Sequence, residues 1–287
     1  MIRIKDLAFS YGKKKRPLFQ DLDLELPDGN MYGLLGKNGA GKTTLLKILC
    51  GLLIPNAGDC TIDDKIPSHR SPDLLADIYY IPEEFWVPRM KIDTFENTYA
   101  PFYPKFDHNL FEEGIEEFEL DRTMPLTSMS YGQKKKVLVA FGVASGTRLF
   151  LLDEPTNGLD IPSKSIFRKL LAAGLNDDRT FLISTHQVRD MQNLIDPVAI
   201  LEKGRIIFQA DAYDMSRSLR IEQTQREPDS EIVLYTESVP GGYVSVIPAD
   251  NTGESQIDLE LLFNAVLTDP ERVQAAMSRT PMEVHNG

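Results

Sequence analysis

Residues 36–43 read Gly36-Lys37-Asn38-Gly39-Ala40-Gly41-Lys42-Thr43 and fit the spacing G-x-x-x-x-G-K-[ST] in full. Glycines here let consecutive backbone N–H groups face one anion, and Lys42 adds a cation for the β- and γ-phosphates of a nucleotide. The Thr43 hydroxyl is suited to ligate Mg²⁺. Gly36, Asn38, Gly39, Ala40, Gly41, Lys42, Thr43 and the following Thr44 form the expected nucleotide-binding set. A second feature is the apolar run Leu149-Phe150-Leu151-Leu152 that ends in Asp153-Glu154. Asp153 is expected to hold Mg²⁺ through its water shell, and Glu154 to act as general base or water positioner opposite the γ-phosphate. The plainer readings are a turn before a helix for the loop and two surface acids for the pair.

Such groups work only if strands and helices aim them. Met31-Tyr32-Gly33-Leu34-Leu35 is an apolar run before the loop, and Thr44-Leu45-Leu46-Lys47-Ile48-Leu49 after it carries a helical pattern ending near Gly51. The order strand, phosphate loop, helix is the context this motif requires. Residues 149–152, 180–183 and 198–201 are further short apolar runs bounded by polar or turn residues, which predicts a parallel sheet covered on both faces. Ile2-Arg3-Ile4-Lys5-Asp6-Leu7 and Leu22-Asp23-Leu24-Glu25-Leu26 alternate with period two and predict half-exposed antiparallel edge strands. Between residues 84 and 146 the texture changes to aromatics, prolines and acidic helical stretches, read as an inserted helical subdomain. After Ala210, strand-like residues 232–235 and 243–247 and a helix over 259–266 predict a small α+β appendage.

With these residues in view, the chain resembles an ATP-binding cassette subunit of an ABC transporter over residues 1 to about 210. The family's signature is recognisable at Met129-Ser130-Tyr131-Gly132-Gln133, which departs from Leu-Ser-Gly-Gly-Gln at its first and third positions. Ser130 opens a helical run, and helix N-termini attract anions. Ser130 with Gln133 also fits an ordinary capping box, and both readings hold together. The resemblance implies that the Ser130 hydroxyl and the Gly132 N–H contact the γ-phosphate held by an opposite subunit, with Gln133 in the same nucleotide-binding set, in a head-to-tail dimer with two composite sites. Tyr131 replaces a glycine, so its ring must point away from phosphate. By resemblance, His186 in Ile183-Ser184-Thr185-His186 is the switch histidine, Asp160 is the acid of the dimer-contact loop Asn157-Gly158-Leu159-Asp160, and Tyr11 stacks on adenine. An aromatic at position 11 can equally cover the edge sheet. Glu83 in Tyr80-Ile81-Pro82-Glu83 stands where the family carries a Mg²⁺-liganding glutamine, with Glu84 as the other alignment.

Composition bounds the alternatives. The formal net charge of -12 repels phosphate backbones, so no nucleic acid partner is expected despite Lys13-Lys14-Lys15-Arg16, read as a solvated turn. Cys50 and Cys60 lack metal spacing and read as reduced core thiols; His69, His108 and His285 read as surface or packing residues. No signal-peptide pattern or membrane-spanning apolar run is found, which predicts a cytoplasmic chain held at the membrane face by its partner. The fold class expected is α/β: a P-loop NTPase (RecA-like) core with an antiparallel edge sheet, an inserted helical subdomain and a small C-terminal α+β appendage. An ATPase domain over 1–210 and an accessory or regulatory domain over 211–287 are expected. The resemblance, strongest to bacterial ABC-2-type export ATPases, implies Mg²⁺-dependent ATP hydrolysis coupled to a separate membrane permease, in a homodimer or a heterodimer. The competing readings are a soluble cassette ATPase acting on ribosomes or in DNA repair, which would carry paired cassettes or a coiled-coil insertion, and a small-molecule kinase, which would need neither Ser130 nor His186.

Overall fold

The computed structural model describes residues 1–12, 15–228, 232–249 and 257–278. Lys13, Lys14 and His285 lie outside them. Along the chain run β1 (Ile2–Phe9), β2 (Phe19–Leu26), β3 (Met31–Leu35), α1 (Lys42–Leu49), β4 (Ala57–Ile62), α2 (Pro72–Leu75) and β5 (Ile78–Ile81). Then follow α3 (Ile92–Tyr99), α4 (His108–Glu117), α5 (Tyr131–Ala144), β6 (Leu149–Asp153), α6 (Ile161–Gly174), β7 (Thr180–Thr185), β8 (Val198–Glu202) and β9 (Arg205–Ala210). The remaining elements are α7 (Ala212–Ser218), β10 (Leu219–Thr224), β11 (Tyr235–Val239), β12 (Gly242–Pro248), α8 (Leu259–Thr268) and α9 (Pro270–Met277).

The central sheet has the order β5-β6-β7-β3-β8-β9, parallel except for β9. Every residue of β3, β6 and β7 is buried, which is why these strands read as unbroken apolar runs. Register brings Leu35 beside Thr185 and Asp153 beside Ser184, so the carboxyl ends of β3, β6 and β7 finish level. Ligands of open α/β sheets sit at that edge. A second sheet, β2-β1-β4, is antiparallel and keeps the alternation seen in β1 and β2. Its inner residues Ile4, Leu7 and Leu24 share a core cluster with Leu45 and Leu49 of α1 and with Leu34, Leu151 and Leu182 of the central sheet. The helix after the phosphate loop is thereby fixed on two sides by dense apolar packing.

The opposite face of the central sheet carries α6 and the 84–146 segment, which includes α5. Phe141 of α5, fully buried, contacts Tyr79 on β5 and Phe95, Tyr103, Phe106 and Phe111 of the helical segment at centroid distances of 4.8–5.8 Å. Tilted and edge-on ring pairs of this kind explain the aromatic texture there. Cys50 and Cys60 are free and buried, and burial pushes their thiols up to about 11 and about 12.

The C-terminal segment forms the antiparallel sheet β10-β12-β11 with α7, α8 and α9. Met215, Leu219, Val246 and Leu262 join the same apolar cluster as Ile195, Val198 and Phe208. The strand expected over residues 232–235 is displaced. Ladder pairing with β12 begins at Tyr235 and runs to Val239, while Val233 and Leu234 are buried as apolar anchors ahead of it. A short apolar run marks burial, and the partner strand decides where the ladder lies.

Candidate functional site

Gly36 leaves β3 against the backbone of β8: a Cβ at Gly36 would stand 2.6 Å from the Leu201 oxygen. Gly41 closes the loop at φ +115° as the residue before α1, where a Cβ would stand 2.6 Å from Phe19 Cε1. Only glycine meets both demands. Helices α4 to α9 each begin on a Ser or Asp whose side chain caps the first turn; α2 and α3 carry no such cap, and neither does α1, which begins on Gly41 with the cleft at its start. Its leading N–H groups therefore face the cleft as donors for an anion. The cleft, about 350 Å³, is lined by Lys37, Asn38, Gly39, Gly41, Lys42, Thr43 and Thr44, together with Tyr11, Leu18, Glu83 and Glu154. Tyr11 shares a 2.7 Å hydrogen bond with Thr44 Oγ1 and stands edge-on to Phe9. Its ring is half exposed at the mouth. Leu18 is an apolar cleft residue that the sequence did not single out.

The acids converge on this loop. Thr43 Oγ1 donates to Asp153 Oδ2 at 2.7 Å, and Ser184 Oγ donates to Asp153 Oδ1. Two hard oxygen donors thus meet beside the loop, the donor chemistry that Mg²⁺ takes. The Tyr80 hydroxyl is buried near the same carboxylate, and its pKa is raised by burial first and by the Asp153 charge next. Glu154 is 4% exposed and holds a left-handed backbone at φ +45°. Its Oε1 lies 3.4 Å from Lys42 Nζ and 2.8 Å from His186 Nδ1. Its Oε2 accepts from Thr185 Oγ1 at 3.2 Å and His186 N at 3.4 Å. Lys42 Nζ also donates to the Gly36 oxygen at 2.7 Å, so the ammonium bridges loop and carboxylate. Glu154 thus contacts both Lys42 and His186, three residues expected from separate stretches of sequence. Ser184 and Thr185 are site residues that sequence reasoning missed, although hydroxyls at the end of a buried strand are a signal for them.

The signature residues lie elsewhere on the chain. Ser130 is exposed, and it caps α5 by accepting from Gln133 N at 3.2 Å while Gln133 Oε1 accepts from Ser130 N at 2.9 Å. Neither Ser130, Gly132, Gln133 nor Asp160 is among the residues lining the cleft. Gly132 lies against the Gly158 carbonyl, 2.8 Å from where a Cβ would stand. The Tyr131 ring stacks on Phe85 at 5.1 Å and its hydroxyl donates to the Glu83 carbonyl. Burial and the nearby Glu83 and Glu84 charges raise the Tyr131 pKa. Glu83 Oε1 accepts from Asn157 Nδ2 at 3.1 Å. Asp160 caps α6 through Ser163 N at 2.9 Å, and the Ser163 hydrogen bonds hold its carboxyl below the usual range. His108 is an exposed partner of Glu96 at 2.7 Å, as a surface residue should be.

A glycine-rich loop between a buried strand and an uncapped helix, with a Thr–Asp contact and a glutamate at the strand edge, defines a P-loop nucleotide-binding α/β protein. Residues 19–157 match the family model described as ABC transporter. The lantibiotic transport ATP-binding protein SrtF of Streptococcus pyogenes is 28% identical over 228 residues, covering 76% of this chain and 94% of that protein. A fluoroquinolones export ATP-binding protein of Mycobacterium tuberculosis is 28% identical over 235 residues, covering 79% and 74%. A solved ATP-binding cassette dimer in a post-hydrolysis state with ADP and Pi superimposes with a TM-score of 0.63 at 20% identity, covering 74% of this chain and 98% of that one. Residues 19–157 carry the ABC transporter domain, and the chain is similar over most of its length to ATP-binding proteins of ABC transporters. Among the described residues, no helix is long and apolar enough to cross a membrane.

Proposed function

We propose that this chain is the ATP-hydrolysing subunit of an export transporter, acting in a head-to-tail pair of cassettes, homodimeric or heterodimeric, on a separate integral membrane permease at the cytoplasmic face. One observation carries the reading. The loop side of a phosphate grip and its carboxylate are assembled in one cleft, while Ser130, at the exposed start of α5, lies outside that cleft. A second cassette facing the first completes the grip, with Ser130 and the Gly132 N–H of one copy directed at the γ-phosphate held by the other.

Lys42 exchanges its contact with Glu154 for the β- and γ-phosphates, which frees the carboxylate to orient and deprotonate the attacking water. His186 holds the other side of that water. Mg²⁺, when bound, would offset phosphate charge, and Thr43, Asp153 and Glu83 are the residues that would hold it. Tyr11 covers the adenine. The name of one relative, a fluoroquinolones export ATP-binding protein, supports outward movement. The permease docks on the helical insertion of 84–146. The groove of about 820 Å³ between α2 and the Phe102–Lys105 stretch supports this, as does the exposure of Trp86 at 80% and Phe102 at 67%. We take 1–210 as the ATPase domain and 211–287 as its accessory domain.

Affinity purification of the chain from membranes solubilised in mild detergent is expected to bring down a polytopic membrane protein in fixed ratio; recovery of the chain without one, under conditions that keep membrane complexes intact, counts against transport. Glu83→Gln is expected to keep the ATPase active while shifting its Mg²⁺ titration, because a carboxylate and an amide differ in charge beside the phosphates. Superimposable titrations of variant and parent would remove Glu83 from the metal site.

A further inference from the structure

Lys135 is fully buried, one turn before Val139 on the inward face of α5. Its ammonium does not seek a carboxylate. It donates to the main-chain oxygens of Glu154 at 3.0 Å and Asn157 at 2.8 Å, and it lies 5.1 Å from the centroid of the Tyr131 ring. Three links close a circuit: Asn157 Nδ2 donates to Glu83 Oε1, the Tyr131 hydroxyl donates to the Glu83 carbonyl, and Tyr131 opens the helix that carries Lys135. The residue gripped at the centre is the one with a left-handed backbone, Glu154 at φ +45°, whose N–H is tied to the Ser184 carbonyl at 2.9 Å. A non-glycine residue stays in that region only when its surroundings hold it there. The groups facing Lys135 are Tyr131 on its own helix, Glu83 on the loop after β5, Asp153 at the end of β6 and Glu154 just beyond it. Burial pulls its pKa down to about 8 against their charges.

We propose that Lys135 is a positioning residue for Glu154: it clamps the Glu154 and Asn157 main chain to the helix that Ser130 begins, so that displacement of the helix start shifts the carboxylate of the same chain. The inference rests on the assignment of Glu154 as the water-directing group. Ser130 is assigned to the partner's phosphate, so the clamp gives each copy a path from its contact with the neighbour's nucleotide to its own hydrolytic carboxylate. The departure at Tyr131 fits this arrangement, since a glycine there would supply neither the ring under the ammonium nor the hydroxyl on Glu83.

Lys135→Met removes the donors while keeping an unbranched chain of similar length. Its steady-state ATPase is expected to show kcat lowered on the order of tenfold or more, with KM and the affinity for a fluorescent ATP analogue within about twofold of the parent. Lys135→Arg, which restores charged donors, should recover most of kcat. In a Glu154→Gln background, single-turnover hydrolysis should fall no further when Lys135→Met is added, because a residue acting through Glu154 has nothing left to position. Parental kcat in Lys135→Met, an equal loss in nucleotide affinity, or an additive loss in the Glu154→Gln background would each overturn the proposal. Should the Met variant not fold, Lys135→Gln, whose amide is one bond short of both carbonyls, is expected to show the same selective loss of kcat, and parental kcat there is an equal refutation. Unimpaired turnover in Glu154→Gln alone would instead remove the reading of Glu154 itself.

Discussion

Glu154→Gln is expected to bind ATP about as tightly as the parent and to hydrolyse it about 10²–10⁴-fold more slowly, the range over which a positioned general base contributes. The substitution is close to isosteric: an amide oxygen in place of Oε2 still accepts from Thr185 and the His186 backbone, while the amide NH2 in place of Oε1 faces His186 Nδ1 as a donor, so the local fold should persist. What is lost is the charge that, in the role proposed for Glu154, takes a proton from water. Binding should hold because the loop N–H groups and Lys42 are untouched, and Lys42 is released from its 3.4 Å contact with a carboxylate. Nucleotide titration by fluorescence and a single-turnover assay separate the two effects. Turnover at the parental rate would take Glu154 out of the chemistry.

Lys42→Ala should fail one step earlier, at binding. A charge-assisted hydrogen bond to phosphate is worth roughly 1.5–3 kcal/mol, so losing it should weaken ATP affinity by about 10- to 150-fold. The structure adds a second cost. Lys42 is 6% exposed and donates to the Gly36 and Lys37 carbonyls as well as facing Glu154, so the variant leaves the loop without its internal brace. The expected readings are a lower affinity by isothermal titration and a phosphate loop more open to proteolysis, with far-ultraviolet circular dichroism unchanged. Parental affinity would show that the backbone cradle binds phosphate without its cation.

The parts of this site that could be read in the sequence are those where backbone geometry dictates residue type. Gly36 and Gly41 have no room for a Cβ, and the buried run ending in Asp153-Glu154 has few places to go except the edge of a parallel sheet. Harder to read were elements that owe their position to a partner. Strand β4 is exposed over Ala57, Gly58 and Asp59 and carries little apolar alternation; pairing with β1 makes it a strand. The ladder of β11 begins where β12 sets it, three residues beyond the start of the apolar run at Ile232. The sequence required the Tyr131 ring to avoid phosphate, but its destination on Phe85 and Glu83 depends on a loop 46–48 residues away. Asn157 as the hydrogen-bond donor to Glu83 was hidden for the same reason. Lys135 is legible in one respect: it stands four residues before Val139, on the face of the helix that has to be buried.

The account stands on phosphate being held between two cassettes. The direct measurement is the mass in solution, by analytical ultracentrifugation, of Glu154→Gln cassettes with ATP, with ADP and with a further Ser130→Arg substitution. The account predicts a particle of two cassettes with ATP, a single cassette with ADP, and loss of the pair when Ser130 is replaced. ATP-saturated cassettes that stay single, or pair equally well without Ser130, would contradict it.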